Sequence, residues 1–103
     1  RRIHPRFQAG NLDHNLALAD ALRTVAAEWS YTPAQLALAW LLDQGPDVIP
    51  IPGTRSITRL EENALAATVH FDEGRRARIA ALLAEHAVAG TRYPAAQMGS
   101  VNV

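Results

Sequence analysis

From residue 11 the chain reads NLDHNLALADALRTVAAEW, and Leu18, Leu22, Val25 and Trp29 recur at spacings of four, three and four. That repeat puts these side chains on one face of an amphipathic helix, predicted over 11–28. The next apolar stretch, AQLALAWLLDQ, follows the tetrapeptide Thr32-Pro33-Ala34-Gln35. A threonine hydroxyl and a glutamine amide three residues apart satisfy donors that a helix start leaves free, and proline suits the first helical position. The second helix is therefore predicted to begin at Pro33. Gly45-Pro46 should end it, because glycine tolerates a left-handed cap and proline cannot extend the helix. Leu36, Leu38, Trp40, Leu41 and Leu42 make this helix apolar around most of its circumference. Each large side chain contributes about 1.5–3 kcal/mol when fully buried, so all of them need cover. Two neighbouring helices give part of it, and a sheet would give more.

Residues 47–52, DVIPIP, form a short continuous apolar run of the kind found in parallel strands buried on both faces. Its two prolines remove ladder donors and confine the pairing. Thr58 and Glu61 match a second capping box, which predicts a third helix over about 57–67. Asp72 can cap a fourth, over 72–86, with Ile79, Leu82 and Leu83 on one side. Residues 1–10 form a lead-in with proline and glycine, and the tail from His86 has no regular pattern. The order is helix, helix, strand, helix, helix, tail. One strand cannot form a sheet, so its partners are expected outside this sequence.

A chain of 103 residues has room for one domain. Ten acidic residues balance ten basic ones, all of them arginine, and the formal charge is zero. There is thus no long-range field to attract nucleic acid or anionic lipid, and neither nucleic acid nor a membrane is an expected partner. A helix-turn-helix reading of the first two helices fails on the same ground, since the recognition helix would offer only Gln35, Asp43 and Gln44 as polar groups. The absence of cysteine excludes disulfides, thiolate catalysis and cysteine metal sites, and permits a reducing compartment. A cytoplasmic location is the expectation. No apolar run approaches the roughly 18 residues of a membrane span. His4, His14, His70 and His86 lack metal-ligand spacing, so structural or surface roles are expected and no metal ligand is assigned. No nucleophile elbow or Walker motif is present. The opening RRIHPRF reads as the middle of a loop, and the chain is expected to be a fragment.

The stretch VIPIPGTRSITRLEEN, residues 48–63, joins the apolar run to the third helix through a Pro-Gly turn and two arginines. A strand, a glycine turn, a helix N-terminus and cationic side chains are the parts of a phosphate site. Many ordinary strand-to-helix connections use the same parts. On the residues alone, Arg55 and Arg59 read first as a solvated cationic edge paired with Glu61 and Glu62, since arginines near helix starts are usually surface residues.

Taken together with TPAQLALAWLLDQG upstream, and with PRF, Asn11 and Asn15 before it, this stretch resembles the C-terminal part of the aldo-keto reductase family. The resemblance covers nearly the whole chain in order. It implies an α/β fold, the C-terminal part of a (β/α)8 TIM barrel, which in this chain is mostly helical with one barrel strand at about 47–52. Residues 1–103 would supply an auxiliary helix, barrel helix 7, strand 8, helix 8, a second auxiliary helix and a C-terminal loop. The remaining strands would come from a missing N-terminal part of the barrel.

The family reduces aldehydes and ketones with NADPH, so the resemblance implies NADP as cofactor and a small-molecule carbonyl substrate. Carried over by residue, the Gly53-Thr54 turn brings backbone amides to an anion. Thr54, Arg55, Ser56 and Arg59 would hold the adenosine 2′-phosphate, and Glu62 with Asn63 would meet the adenine. An arginine fork fits phosphate oxygens in bidentate fashion, which favours NADP over NAD. The family's catalytic Asp, Tyr, Lys and His lie earlier in the barrel. This chain has no lysine, so it cannot hold that set. No catalytic residue is assigned, and the chain alone is expected to be inactive as a reductase. Tyr31 and Tyr93 are expected in structural roles. Phe7, Tyr93 and Met98 could line a substrate pocket in the family's manner, or simply pack. The alternative is a catalytically inactive helical interaction or nucleotide-binding fragment.

Overall fold

The computed structural model describes residues 3–101. Arg1, Arg2, Asn102 and Val103, which the sequence reading places in the lead-in and the tail, lie outside the described residues. Four α-helices follow one another: α1 (Asn11–Glu28), α2 (Pro33–Asp43), α3 (Ile57–Leu65) and α4 (Glu73–Glu85). Short 3₁₀ turns occupy Pro5–Phe7, Ala66–Thr68 and Ala95–Ser100. No strand occurs among the described residues, and no helix among them is long and apolar enough to cross a membrane.

The helix ends follow local chemistry. At the end of α1 the Tyr31 amide donates to Ala26 O at 2.8 Å and the Ser30 amide to Ala27 O at 3.1 Å. With Ser30 at φ 61°, this is a Schellman closure built on a non-glycine residue. The predicted capping box of α2 is present: Gln35 N donates to Thr32 Oγ1 at 3.2 Å, and Thr32 N donates to Gln35 Oε1 at 3.1 Å. Gly45 follows the C-cap Gln44 at positive φ. The predicted cap of α4 is present too, with Arg75 N donating to Asp72 Oδ1 at 2.7 Å.

Two expectations are corrected, and the expected strand is not formed among the described residues. The N-cap predicted at Thr58 lies two residues earlier: Ser56 is the cap, its hydroxyl accepts from Arg59 N at 3.3 Å, and the helix opens at Ile57 as the predicted span has it. Ser56 is itself set in place by its amide, which donates to Thr54 Oγ1 at 3.1 Å. Residues 47–52 form no strand ladder among the described residues: Asp47 belongs to a turn, and Val48–Pro52 has no ladder partner there. A strand needs a neighbour to satisfy its amides and carbonyls, and the helices around it offer none. The tail is also more ordered than expected, through its 3₁₀ turn at Ala95–Ser100.

The chain divides into two compact units. The one running from Leu22 to Arg78 carries the candidate site. Leu36, at 0% exposure, lies at its centre with Val25, Ala26, Ala39, Ala66 and Phe71 also buried. Trp29 meets Phe71 edge to face, with ring centroids 6.3 Å apart. Arg75 lies over both Trp29 and Tyr31 and donates to His70 O at 3.0 Å. Arg76 pairs with Asp43 through two 2.8 Å hydrogen bonds.

The other unit consists of the segments up to Ala21 and from Ile79 onward. Here the asparagines of the opening turn of α1 bind backbone. Asn11 Nδ2 donates to Pro5 O at 3.0 Å, and Asn15 Nδ2 to Arg6 O at 3.1 Å. His14 Nε2 lies 2.6 Å from Ala87 O, and the His4 ring stands edge-on to Tyr93.

Candidate cofactor site

The segment between α2 and α3 reaches the start of α3 through two nested side-chain turns. Thr54 Oγ1 accepts the Ser56 amide, and Ser56 Oγ accepts the Arg59 amide. With Ser56 as N-cap, Ile57 and Thr58 open the helix, and the first amides of a helix have no partner within it. Together with the helix dipole they make that end a locus of positive potential.

All seven residues predicted from the sequence gather there. Gly53, Thr54, Arg55, Ser56, Arg59, Glu62 and Asn63, joined by Ala34 at the start of α2, line one open concavity of about 860 Å³. Glu62 and Asn63 are half-buried, whereas residues 53–60 are exposed. The helical register explains the grouping, because Arg59, Glu62 and Asn63 are three and four apart and share a face of α3.

The electrostatics favour an anion. Among the described residues neither Arg55 nor Arg59 forms an ion pair with Glu61 or Glu62, unlike Arg76 and Arg78, which pair with Asp43 and Glu28. Both site guanidiniums therefore keep their donor forks uncommitted beside two hydroxyls and a helix N-terminus. No cluster of metal-ligating side chains occurs among the described residues.

Sequence reasoning found the cap role of Gln35 and missed its second role. Gln35 is 8% exposed, and its Nε2 donates to Glu62 O at 3.0 Å, tying the start of α2 to the backbone of α3. The capping-box pattern supplies no sign of this, since it uses only the other end of the amide. Ala34 was missed as well, and a methyl side chain carries no chemical signal to find it by.

Comparison with known proteins decides the family. The model of the Aldo/keto reductase family matches residues 2–84. This chain belongs to the aldo-keto reductase family. The chain is 46% identical over 92 residues to Probable aldo-keto reductase 1 of Glycine max, covering 89% of this chain and 27% of that protein. Against Aldo-keto reductase yakc, NADP(+), of Schizosaccharomyces pombe, identity is 42% over 94 residues, with 91% of this chain and 28% of the relative covered. Aldo-keto reductase str7 of Strobilurus tenacellus is 39% identical over 101 residues, with 98% and 30% covered. This aldo-keto reductase chain thus spans less than a third of the length of each of these relatives.

Proposed function

We propose that this chain is the C-terminal part of an NADP-dependent oxidoreductase that reduces aldehydes or ketones to alcohols, and that it carries the adenosine 2′-phosphate half of the cofactor site. The observation that carries the reading is the concavity lined by Gly53, Thr54, Arg55, Ser56, Arg59, Glu62 and Asn63, with both arginines free of carboxylate partners among the described residues. Such a donor set fits a phosphate monoester. Arg55 and Arg59 supply planar forks, Thr54 and Ser56 supply hydroxyls, and the start of α3 supplies amides and dipole. Glu62 and Asn63, further along α3, meet the adenine. A relative whose name carries NADP(+) supports the same cofactor.

When bound, NADPH supplies the hydride. The residues of this chain bind and orient its adenosine end, holding the cofactor in one position while the chemistry proceeds elsewhere. With no lysine, the chain does not hold the family's catalytic set, and it catalyses no reduction alone. Residues 47–52 are assigned as the eighth barrel strand. Ile49 and Ile51, 78% and 91% exposed, are the side chains such a strand buries when its neighbours are present. The partners are a small carbonyl substrate and the N-terminal part of the barrel, in a cytoplasmic setting.

Two ligands that represent only the adenosine half provide the test. Adenosine 2′,5′-bisphosphate should bind the full-length protein at least tenfold more tightly than adenosine 5′-monophosphate, the gain expected from charge-assisted contacts to one phosphate. Equal affinities would contradict the 2′-phosphate assignment.

A further inference from the structure

We infer that Gln35 is a positioning residue of the cofactor site, setting the place of α3 through a hydrogen bond to the carbonyl of Glu62. The inference rests on the cofactor reading above and adds to it a residue outside the recognised motif.

In a regular α-helix Glu62 O would accept the amide four residues on, that of Ala66. Here the Ala66 amide goes to Asn63 O and Ala64 O, as the helix tightens into the 3₁₀ turn at Ala66–Thr68. Glu62 O lies at this tightening end of α3 and accepts a hydrogen bond from Gln35 Nε2 at 3.0 Å. A part-buried hydrogen bond from another helix favours the arrangement of α3 that allows it.

The rest of Gln35 is fully engaged at the start of α2. Its amide donates to Thr32 Oγ1 and its Oε1 accepts from Thr32 N. One buried side chain therefore joins the capped end of α2, whose Ala34 lines the concavity, to the residue pair proposed to meet the adenine. A capping box needs only an acceptor at this position, and glutamate serves as well as glutamine. The second donor is the feature that capping does not require.

That distinction gives the experiment. Gln35→Glu keeps an acceptor for Thr32 N and loses the donor to Glu62 O. Thr32→Ala breaks the cap and leaves the Gln35–Glu62 bond. NADPH and NADH affinities and thermal stability are measured for the full-length protein and both variants. Gln35→Glu should weaken both nucleotides by a similar factor, about tenfold, because adenine is common to both. Thr32→Ala should lower the melting temperature while leaving both affinities within about twofold of the parent. Should Gln35→Glu fail to fold, Gln35→Met removes the same donor with a neutral side chain of similar length, and is compared with Thr32→Ala in the same way.

Unchanged affinities in the Gln35 variant, or an equal loss in Thr32→Ala, would overturn the positioning role while leaving the cofactor reading intact. Equal binding of NADPH and NADH by the parent protein would overturn the 2′-phosphate assignment alone. No nucleotide binding by the parent would overturn both.

Discussion

Asn15 and Ala89, 74 residues apart, are joined by a reciprocal pair of hydrogen bonds: Asn15 Nδ2 donates to Ala89 O, and Ala89 N donates to Asn15 Oδ1, each at 2.9 Å. The side-chain amide thus does for one tail residue what a neighbouring strand would do. The same Nδ2 also reaches Arg6 O, so a single asparagine holds the lead-in and the tail of its unit. Asn15→Asp keeps the acceptor, loses the donor and points a charge at two carbonyls. We expect a loss of about 1–3 kcal/mol, read from the urea midpoint.

Gly90 lies next to that clasp and has no room for a side chain. A Cβ there would sit 2.9 Å from the Pro5 carbonyl carbon and from Asn11 Nδ2, and 3.0 Å from Arg6 N, with φ at +84°. Two of these neighbours are backbone and cannot swing aside. Gly90→Ala should therefore destabilise by about 1–3 kcal/mol from backbone strain and displacement, despite the lower entropy of its unfolded chain. A Gly99→Ala control, where nothing lies within 4 Å, should change stability far less.

The Asp43–Arg76 pair makes stability depend on acid pH. The paired hydrogen bonds from Arg76, followed by its charge, hold the Asp43 carboxyl below its ordinary value of 3.8. A depressed folded value means that the stabilisation is complete above the unfolded value and disappears as pH falls through the folded one. The pair is solvent-exposed, so the effect is small. Melting temperatures of the parent and of Asp43→Asn should differ by a constant amount from neutral pH down to about 4 and converge below it.

The sequence disclosed most where a local pattern decides the structure. Thr32 with Gln35, and Asp72 before α4, fixed those helix starts, because a cap involves residues only three apart. The same rule misplaced the N-cap of α3, since Thr58-Glu61 competes with Ser56, whose position is set by Thr54 two residues back. The seven residues named from the family resemblance lie within one continuous stretch, and the fold brings that stretch around a single concavity. Gln35 was half legible: its cap contact is local, but its bond to Glu62, 27 residues on, depends on α3 lying beside the start of α2. The Asn15–Ala89 pair has no local signal. The strand at 47–52 was predicted from its apolar run, but such a run becomes a strand only when a neighbour completes the ladder.

The proposed hold of Arg59 on the 2′-phosphate of NADP is tested by measuring NADPH and NADH dissociation constants for the full-length protein and for Arg59→Ala. Losing a charge-assisted fork to the phosphate should weaken NADPH about ten- to a hundredfold and leave NADH within about threefold of the parent. An equal loss for both nucleotides, or none for either, would contradict the assignment.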